Sequence, residues 1–132
     1  ERFALSSKEA PAGAVMIIDS ENPGHLKLST TSYDSKVAGV VSGAGGIQPG
    51  VVLTQTGVLD GGRNVALTGR VYALVDADYC PVEPGDLLTT SVTPGHAMKA
   101  SDTIRRSGAV LGKAMTPLKE GRGLVLVLVS LQ

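Results

Sequence analysis

A chain of 132 residues carrying 12 basic and 12 acidic side chains is the size of one domain, and its balanced charge excludes the basic stripe that nucleic acid or an anionic membrane surface requires. With no Trp, one Phe and three Tyr, its core has to be aliphatic. The lone cysteine, Cys80, excludes an intrachain disulfide and a cysteine zinc site, and the longest apolar stretch, Leu124 to Val129, is far short of the ~20 residues a membrane-crossing helix needs.

Seventeen Gly and seven Pro punctuate the chain, and they set the predicted elements. After a lead-in segment, residues 1–10, Pro11-Ala12-Gly13 introduces the run Ala14-Val15-Met16-Ile17-Ile18. Pro23-Gly24-His25 then turns the chain into Leu26-Lys27-Leu28-Ser29, and Val37-Ala38-Gly39-Val40-Val41 follows. Pro presets φ for a turn and Gly supplies the positive φ that turns demand, so each run reads as a short strand returned by a tight connection. Ser42-Gly43-Ala44-Gly45-Gly46 has the glycines of a phosphate loop without its Lys-Ser/Thr ending or a helix pattern behind it, and is expected to be a flexible surface loop. Residues 48–75 read as bridging strands. Within them Pro49-Gly50 introduces Val51-Val52-Leu53-Thr54, and Asn64 to Val75 forms one long strand with a bulge or bend at Gly69.

The punctuation then repeats. Pro84-Gly85 introduces Asp86-Leu87-Leu88-Thr89, and Pro94-Gly95-His96 leads into Ala97-Met98-Lys99-Ala100. A single helical turn is expected over Ser101 to Ser107, capped by Ser101 or Asp102. Val110-Leu111-Gly112-Lys113-Ala114 is the counterpart of the Val37 run, which makes residues 11–42 and 83–115 two copies of one supersecondary unit. The last strand, residues 123–131, is apolar at both parities from Leu124 to Val129, so both its faces are expected to be covered, by the rest of a barrel-like fold or by another subunit. The fold class is therefore all-β: one domain over residues 1–132, a short-strand β-clip or barrel-like architecture with an internal duplication and little helix.

Candidates for chemistry are few. His25 and His96 occupy equivalent places in the repeat and could share a metal at an oligomer axis, yet neither has a second ligand at metal spacing beside it. Asp76 and Asp78, just after the long strand, would share one strand face and could bind a cation or act as an acid/base pair, but they lack the further oxygen ligands that a calcium site needs and are expected to be turn-forming or solvated. Asp86, directly after Pro84-Gly85, is expected to bond nearby turn amides. No serine lies in a G-x-S-x-G elbow, and Cys80 beside Tyr79 has no local base, which leaves it a small apolar side chain. No catalytic, cofactor-binding or metal residue is assigned, no cofactor is expected, and the domain is not expected to be an enzyme.

Three stretches carry a resemblance. Ser20-Glu21-Asn22-Pro23-Gly24 with Leu26-Lys27-Leu28-Ser29 and Val37 to Gly43 forms the first. Val65-Ala66-Leu67-Thr68-Gly69-Arg70-Val71-Tyr72 with Val82-Glu83-Pro84-Gly85-Asp86-Leu87-Leu88-Thr89-Thr90-Ser91 forms the second, and Gly108 to Ala114 with the terminal Leu-Val alternation the third. From about Pro11 to Gln132 the chain is similar to terminal domains of phage tail-fibre-like and bacterial surface proteins, and its Pro-Gly-Asp-Leu-Leu segment resembles β-clip folds. That resemblance implies a trimer-forming cap or assembly module. The opening Glu1-Arg2-Phe3 resembles the tail of a D-x-A-E-x-F motif and, with no initial Met, points to a fragment of a longer parent chain.

The resulting expectation is a heat-resistant, non-enzymatic oligomerisation or capping domain, homotrimeric, at the C-terminal end of a fibre-like or surface protein. Its partners would be its own copies and upstream parts of its parent, with no nucleic acid and no membrane insertion, on a cell surface or phage particle. One alternative is a self-cleaving intramolecular chaperone, whose nucleophile has no counterpart located in this sequence. The other is a glycan-binding or surface-partner module, for which Phe3, Tyr33, Tyr72 and Tyr79 are the available aromatic platforms.

Overall fold

The computed structural model describes residues 1–7, 10–46 and 62–132. In chain order the strands are β1 (Arg2–Leu5), β2 (Val15–Ile18), β3 (His25–Leu28), β4 (Val37–Val41), β5 (Gly62–Ala66), β6 (Gly69–Asp76), β7 (Leu87–Thr90), β8 (Ala97–Lys99), β9 (Val110–Ala114) and β10 (Arg122–Val129). There is no α-helix among the described residues. The strands close into two barrels, β1-β3-β2-β4-β5 and β10-β6-β8-β7-β9.

The two barrels have one topology, so the duplication lies in the pairing as well as in the sequence. In each, the first strand runs parallel to the third (β1 with β3, β6 with β8) and every other pairing is antiparallel. Val15 and Met16 face Val40 and Gly39 as Leu87 and Leu88 face Lys113 and Gly112, and both ladders slip at the next residue, between Met16 and Ile17 and between Leu88 and Thr89. Closure depends on two glycines. A Cβ at Gly39 would collide with the carbonyl oxygen of Ala66, and one at Gly112 with that of Leu128, so the fourth strand of each barrel presses backbone against backbone on the fifth.

Burial explains how the barrels stay together. Met16, Leu26, Val41 and Val65 fill the first barrel with Phe3 and Leu5 packed against them. Val15, Val37 and Val40 instead join the cluster of Val71, Val75, Leu88, Leu111, Val125 and Val127, which belongs to the second. The β2–β4 pair is thus apolar on both faces, one inside its own barrel and the other against its neighbour.

Several expectations change. The lead-in segment contributes β1, a full member of the first barrel. The expected long strand from Asn64 to Val75 is two strands in different barrels, because Gly69, at φ +82°, turns the chain after β5 instead of bulging one strand. Ser42–Gly46 is no loose loop: Ala44–Gly46 is a 3-10 turn, with Ala44 buried and Gly45 against the Tyr72 ring. The single helical turn expected over Ser101–Ser107 is present within a run of turns, closed by the Arg106 amide donating to the Asp102 carbonyl at 3.1 Å. Asp102 caps it, accepting the amides of Ile104 and Arg105 at 3.0 Å each, and Gly108 at φ +78° ends it. The Val51–Thr54 run lies outside the described residues. In β10, Val125, Val127 and Val129 are buried while Leu124 and Leu128 stay 40% and 43% exposed, so only one face is fully covered. Leu124 and Leu74 both lie against Gly13 of the first barrel.

Two stability outcomes follow. Gly39→Ala or Gly112→Ala is expected to lower the unfolding free energy by about 1–3 kcal/mol, as overpacking does, measured by denaturant titration. Ser29 carries a buried hydroxyl without a hydrogen-bond partner among the described residues, and Ala100 stands at its counterpart in the second barrel. Ser29→Ala is therefore expected to leave stability unchanged or raise it by up to ~1 kcal/mol in the same titration.

Candidate functional site

Each barrel pins its second hairpin to the end of its first strand through one buried carboxylate. In the first barrel the carboxylate is Asp19, just after β2. It accepts the Glu21 amide at 3.0 Å, the Asn22 amide group at 2.8 Å and the Ser6 hydroxyl, with Lys27 Nζ at 4.0 Å. In the second barrel it is Asp76, the last residue of β6. Asp76 accepts the Asp78 amide at 3.0 Å and the Thr93 hydroxyl at 2.8 Å, with Arg122 Nε at 3.3 Å.

The two staples exchange roles. Ser91 takes the place of Asp19 after the strand, and its Oγ accepts the Thr93 amide at 3.2 Å as Asp19 accepts that of Glu21. Ser91 also donates to the His96 carbonyl at 2.6 Å, and Tyr79 Oη lies 2.8 Å from Thr93 Oγ1. The hairpin of the first barrel therefore brings the carboxylate to a hydroxyl on the first strand's end, and the hairpin of the second brings the hydroxyl to a carboxylate.

Both carboxylates are held ionised. The Ser6 hydroxyl, the Asn22 side chain and the Glu21 amide hold Asp19 well below the usual carboxylate range. Burial works to raise Asp76, but the Thr93 hydroxyl, the Asp78 amide and the charges of Arg122 and His96 outweigh it and leave its pKa lowered. A carboxylate saturated in this way and charged at neutral pH is a structural clamp. General acid or base work needs a pKa near the working pH.

The other sequence candidates are also bound into turns. His25 Nδ1 lies 3.3 Å from the Pro23 carbonyl and His96 Nδ1 2.8 Å from that of Pro94, the same local contact in each copy. No group of three or more His, Cys, Asp or Glu that could hold a metal occurs among the described residues. Asp76 and Asp78 do not share a strand face: β6 ends at Asp76, and Asp78, exposed in the next turn, accepts the Gly121 amide at 2.8 Å. Asp86 accepts the Glu83 amide at 2.8 Å and lies 3.5 Å from Lys99 Nζ.

Sequence reasoning passed over the joint between the barrels. Tyr33 holds φ +53°, a left-handed conformation rare for a bulky side chain. Its hydroxyl accepts the Asp102 amide at 2.9 Å, and Arg105 sits over its ring at 4.6 Å from the centroid. Beside it Thr90 Oγ1 donates to the Thr31 carbonyl at 2.6 Å and accepts the Asp34 amide at 2.8 Å. Nothing in the local sequence around Tyr33 signals this, because each partner comes from the other barrel.

Both depressed carboxylates stabilise the fold above the ordinary carboxylate pKa of about 4, and that contribution fades as pH falls through their lower folded values. Stability is therefore expected to be flat between about pH 5 and 7 and to fall below about pH 4. Asp76→Asn is expected to be less stable than the native chain at pH 7, with the deficit shrinking as pH falls below about 4, read by urea titration at pH 7 and at pH 3.

A scan against protein-family models finds no match to this chain, and a search of curated proteins finds none either.

Proposed function

We propose that this domain is a non-enzymatic structural module that self-associates, as a trimer, at the C-terminal end of a longer fibre-like or surface protein. One observation carries the reading: large apolar side chains stand in solvent on both barrels, with Ile104 86%, Ile18 50%, Leu128 43% and Leu124 40% exposed. The counterparts of Leu124, Leu126 and Leu128 on the outer face of the first barrel are Gly62, Asn64 and Ala66, as the matching registers of β4–β5 and β9–β10 define them. Grouped exposed apolar surface is a mark of interaction sites. Closed barrels have no free edge strands, so association has to use side-chain faces and turns. The trimeric number and the terminal position in a parent chain rest on the resemblance to fibre-end domains.

Light scattering coupled to size exclusion at micromolar concentration tests the reading. The expected mass is three times the 13.5 kDa of one chain, and a monomeric mass overturns self-association. Melting is expected above about 65 °C and at a temperature that rises with protein concentration, because association stabilises the folded state by mass action. A concentration-independent transition near 50 °C would count against the proposal.

A further inference from the structure

The seating of hairpin turns at the joint between the barrels runs in one direction only. The Pro94-Gly95-His96 turn of the second barrel seats on the first: the Gly95 amide donates to the Ser29 carbonyl and the Val15 amide donates to the Gly95 carbonyl, both at 2.9 Å. Leu28 and Ala14 close around the turn at 3.0 and 3.4 Å from the point where a Gly95 Cβ would stand. Next to it the Leu74 amide donates to the Gly13 carbonyl at 2.8 Å, and Thr90 engages Thr31, Tyr33 and Asp34.

Every part of this joint has a counterpart in the other barrel. On the seating side Gly24 corresponds to Gly95 and Ile18 to Thr90. On the receiving side Leu87 corresponds to Val15, Ala100 to Ser29 and Gly85 to Gly13, and the loop 101–108 to the loop that holds Tyr33. A twofold relation between the barrels would bring these counterparts together within the chain. The two loops do meet, through Tyr33 with Asp102 and Arg105, but the turns and the strand positions they would seat on are apart. Among the described residues nothing lies within 4 Å of a Cβ placed at Gly24 or Gly85, Ile18 and Ile104 are exposed, and Leu87 is half-buried where Val15 is fully buried. The seating is heterologous, and among the described residues no turn occupies the receiving strands of the second barrel and the first barrel's own turn is seated on nothing.

We propose that these two faces meet between copies of the chain, head to tail, with the Pro23-Gly24-His25 turn of one copy seated on the second barrel of the next. This deepens the self-association reading and rests on it. The receiving face has an open cleft of about 270 Å³ bordered by Leu87, Arg106, Val110 and Gln132. Its chemistry differs from that of the internal joint in a consistent way. Asp86 and Lys99, paired at 3.5 Å, replace Ala14 and Leu28 on the floor, and Arg106 Nη1 stands 3.5 Å from the Ala100 carbonyl, the counterpart of the Ser29 carbonyl that receives the turn's amide. The turn that would seat there carries the exposed Glu21, opposite in charge to Arg106, while Lys99 is paired with Asp86. The contact between copies is accordingly more polar than the internal one, and it brings Ile18 to the Ile104 loop as Thr90 is brought to the Tyr33 loop. A heterologous contact of this kind closes into a ring when its rotation permits, and a trimer is such a ring.

Two variants at exposed positions test the direction of assembly. Ile18→Glu blocks the seating face and Ile104→Glu the receiving face, and circular dichroism checks that both stay folded. Each alone is expected to run as a monomer by light scattering at concentrations where the native chain is oligomeric. Mixed in equal amounts, they are expected to form a two-chain species and nothing larger, since only one intact pair of faces remains. Folded single variants that keep the native mass would overturn this interface and leave self-association standing. Variants that become monomeric and stay so on mixing would show a symmetric contact and overturn the head-to-tail arrangement. A monomeric native chain would overturn the self-association reading and the proposal together.

Discussion

The backbone contact at Gly39 and at Gly112 is the constraint on which the rest of the architecture depends. In each barrel the fourth strand approaches the fifth at one point more closely than a side chain would permit, and each copy of the unit has glycine there at the same register position. Once the ring is closed, its interior is narrow and suits aliphatic side chains. Val, Leu, Ile, Ala and Met occupy it, and the few aromatic residues sit at its margins, with Phe3 half-buried and Tyr79 exposed. Closure also removes the unpaired strand edges through which small β domains tend to aggregate.

Two closed rings still have to hold together, and they do so through strands apolar on both faces. Val15 and Val40 place their side chains against the second barrel while Met16 and Val41 serve the first. The polar contacts around this shared core add direction. Gly95 enters a position defined by two backbone hydrogen bonds, and Tyr33 accepts a strained backbone to reach the amide of Asp102 and the face presented to Arg105. Strain of this kind persists only where surrounding contacts over-determine it.

What could be read from the sequence was local. Pro-Gly turns, short Val-rich runs and their recurrence gave an all-β, duplicated fold with little helix, because turn chemistry and pleat periodicity act over a few residues. What escaped was set by partners distant in the chain. The parallel pairing of β1 with β3 and of β6 with β8, the division of the Asn64–Val75 stretch between barrels, and the Thr90–Tyr33 joint each depend on residues far away in sequence. Asp102 shows the limit from the other side. Its capping bonds form as residue type suggests, yet the turn they start is cut off by Gly108. The polar residues singled out by pattern, His25, His96, Asp76 and Asp78, turn out to be bound to turns, and the sequence gives no sign of the Asp76–Thr93 pair, whose members come from β6 and the β7–β8 turn.

The exchanged staples have a consequence for the history of the two copies. Ser6 and Asp19 form one matched pair, Asp76 and Thr93 another, with carboxylate and hydroxyl on opposite sides of the same junction. A recombination event that copied only the first hairpin turn into the second unit would set the Asp19 carboxylate beside Asp76, two like charges in a buried place. The reverse copy would leave hydroxyl facing hydroxyl, with no charge to anchor the turn amides. Strand end and turn thus fit only as the pair found within each copy. With its own staple, each copy holds the same turn in a different setting: the second docks it within the chain, and the first presents it outward.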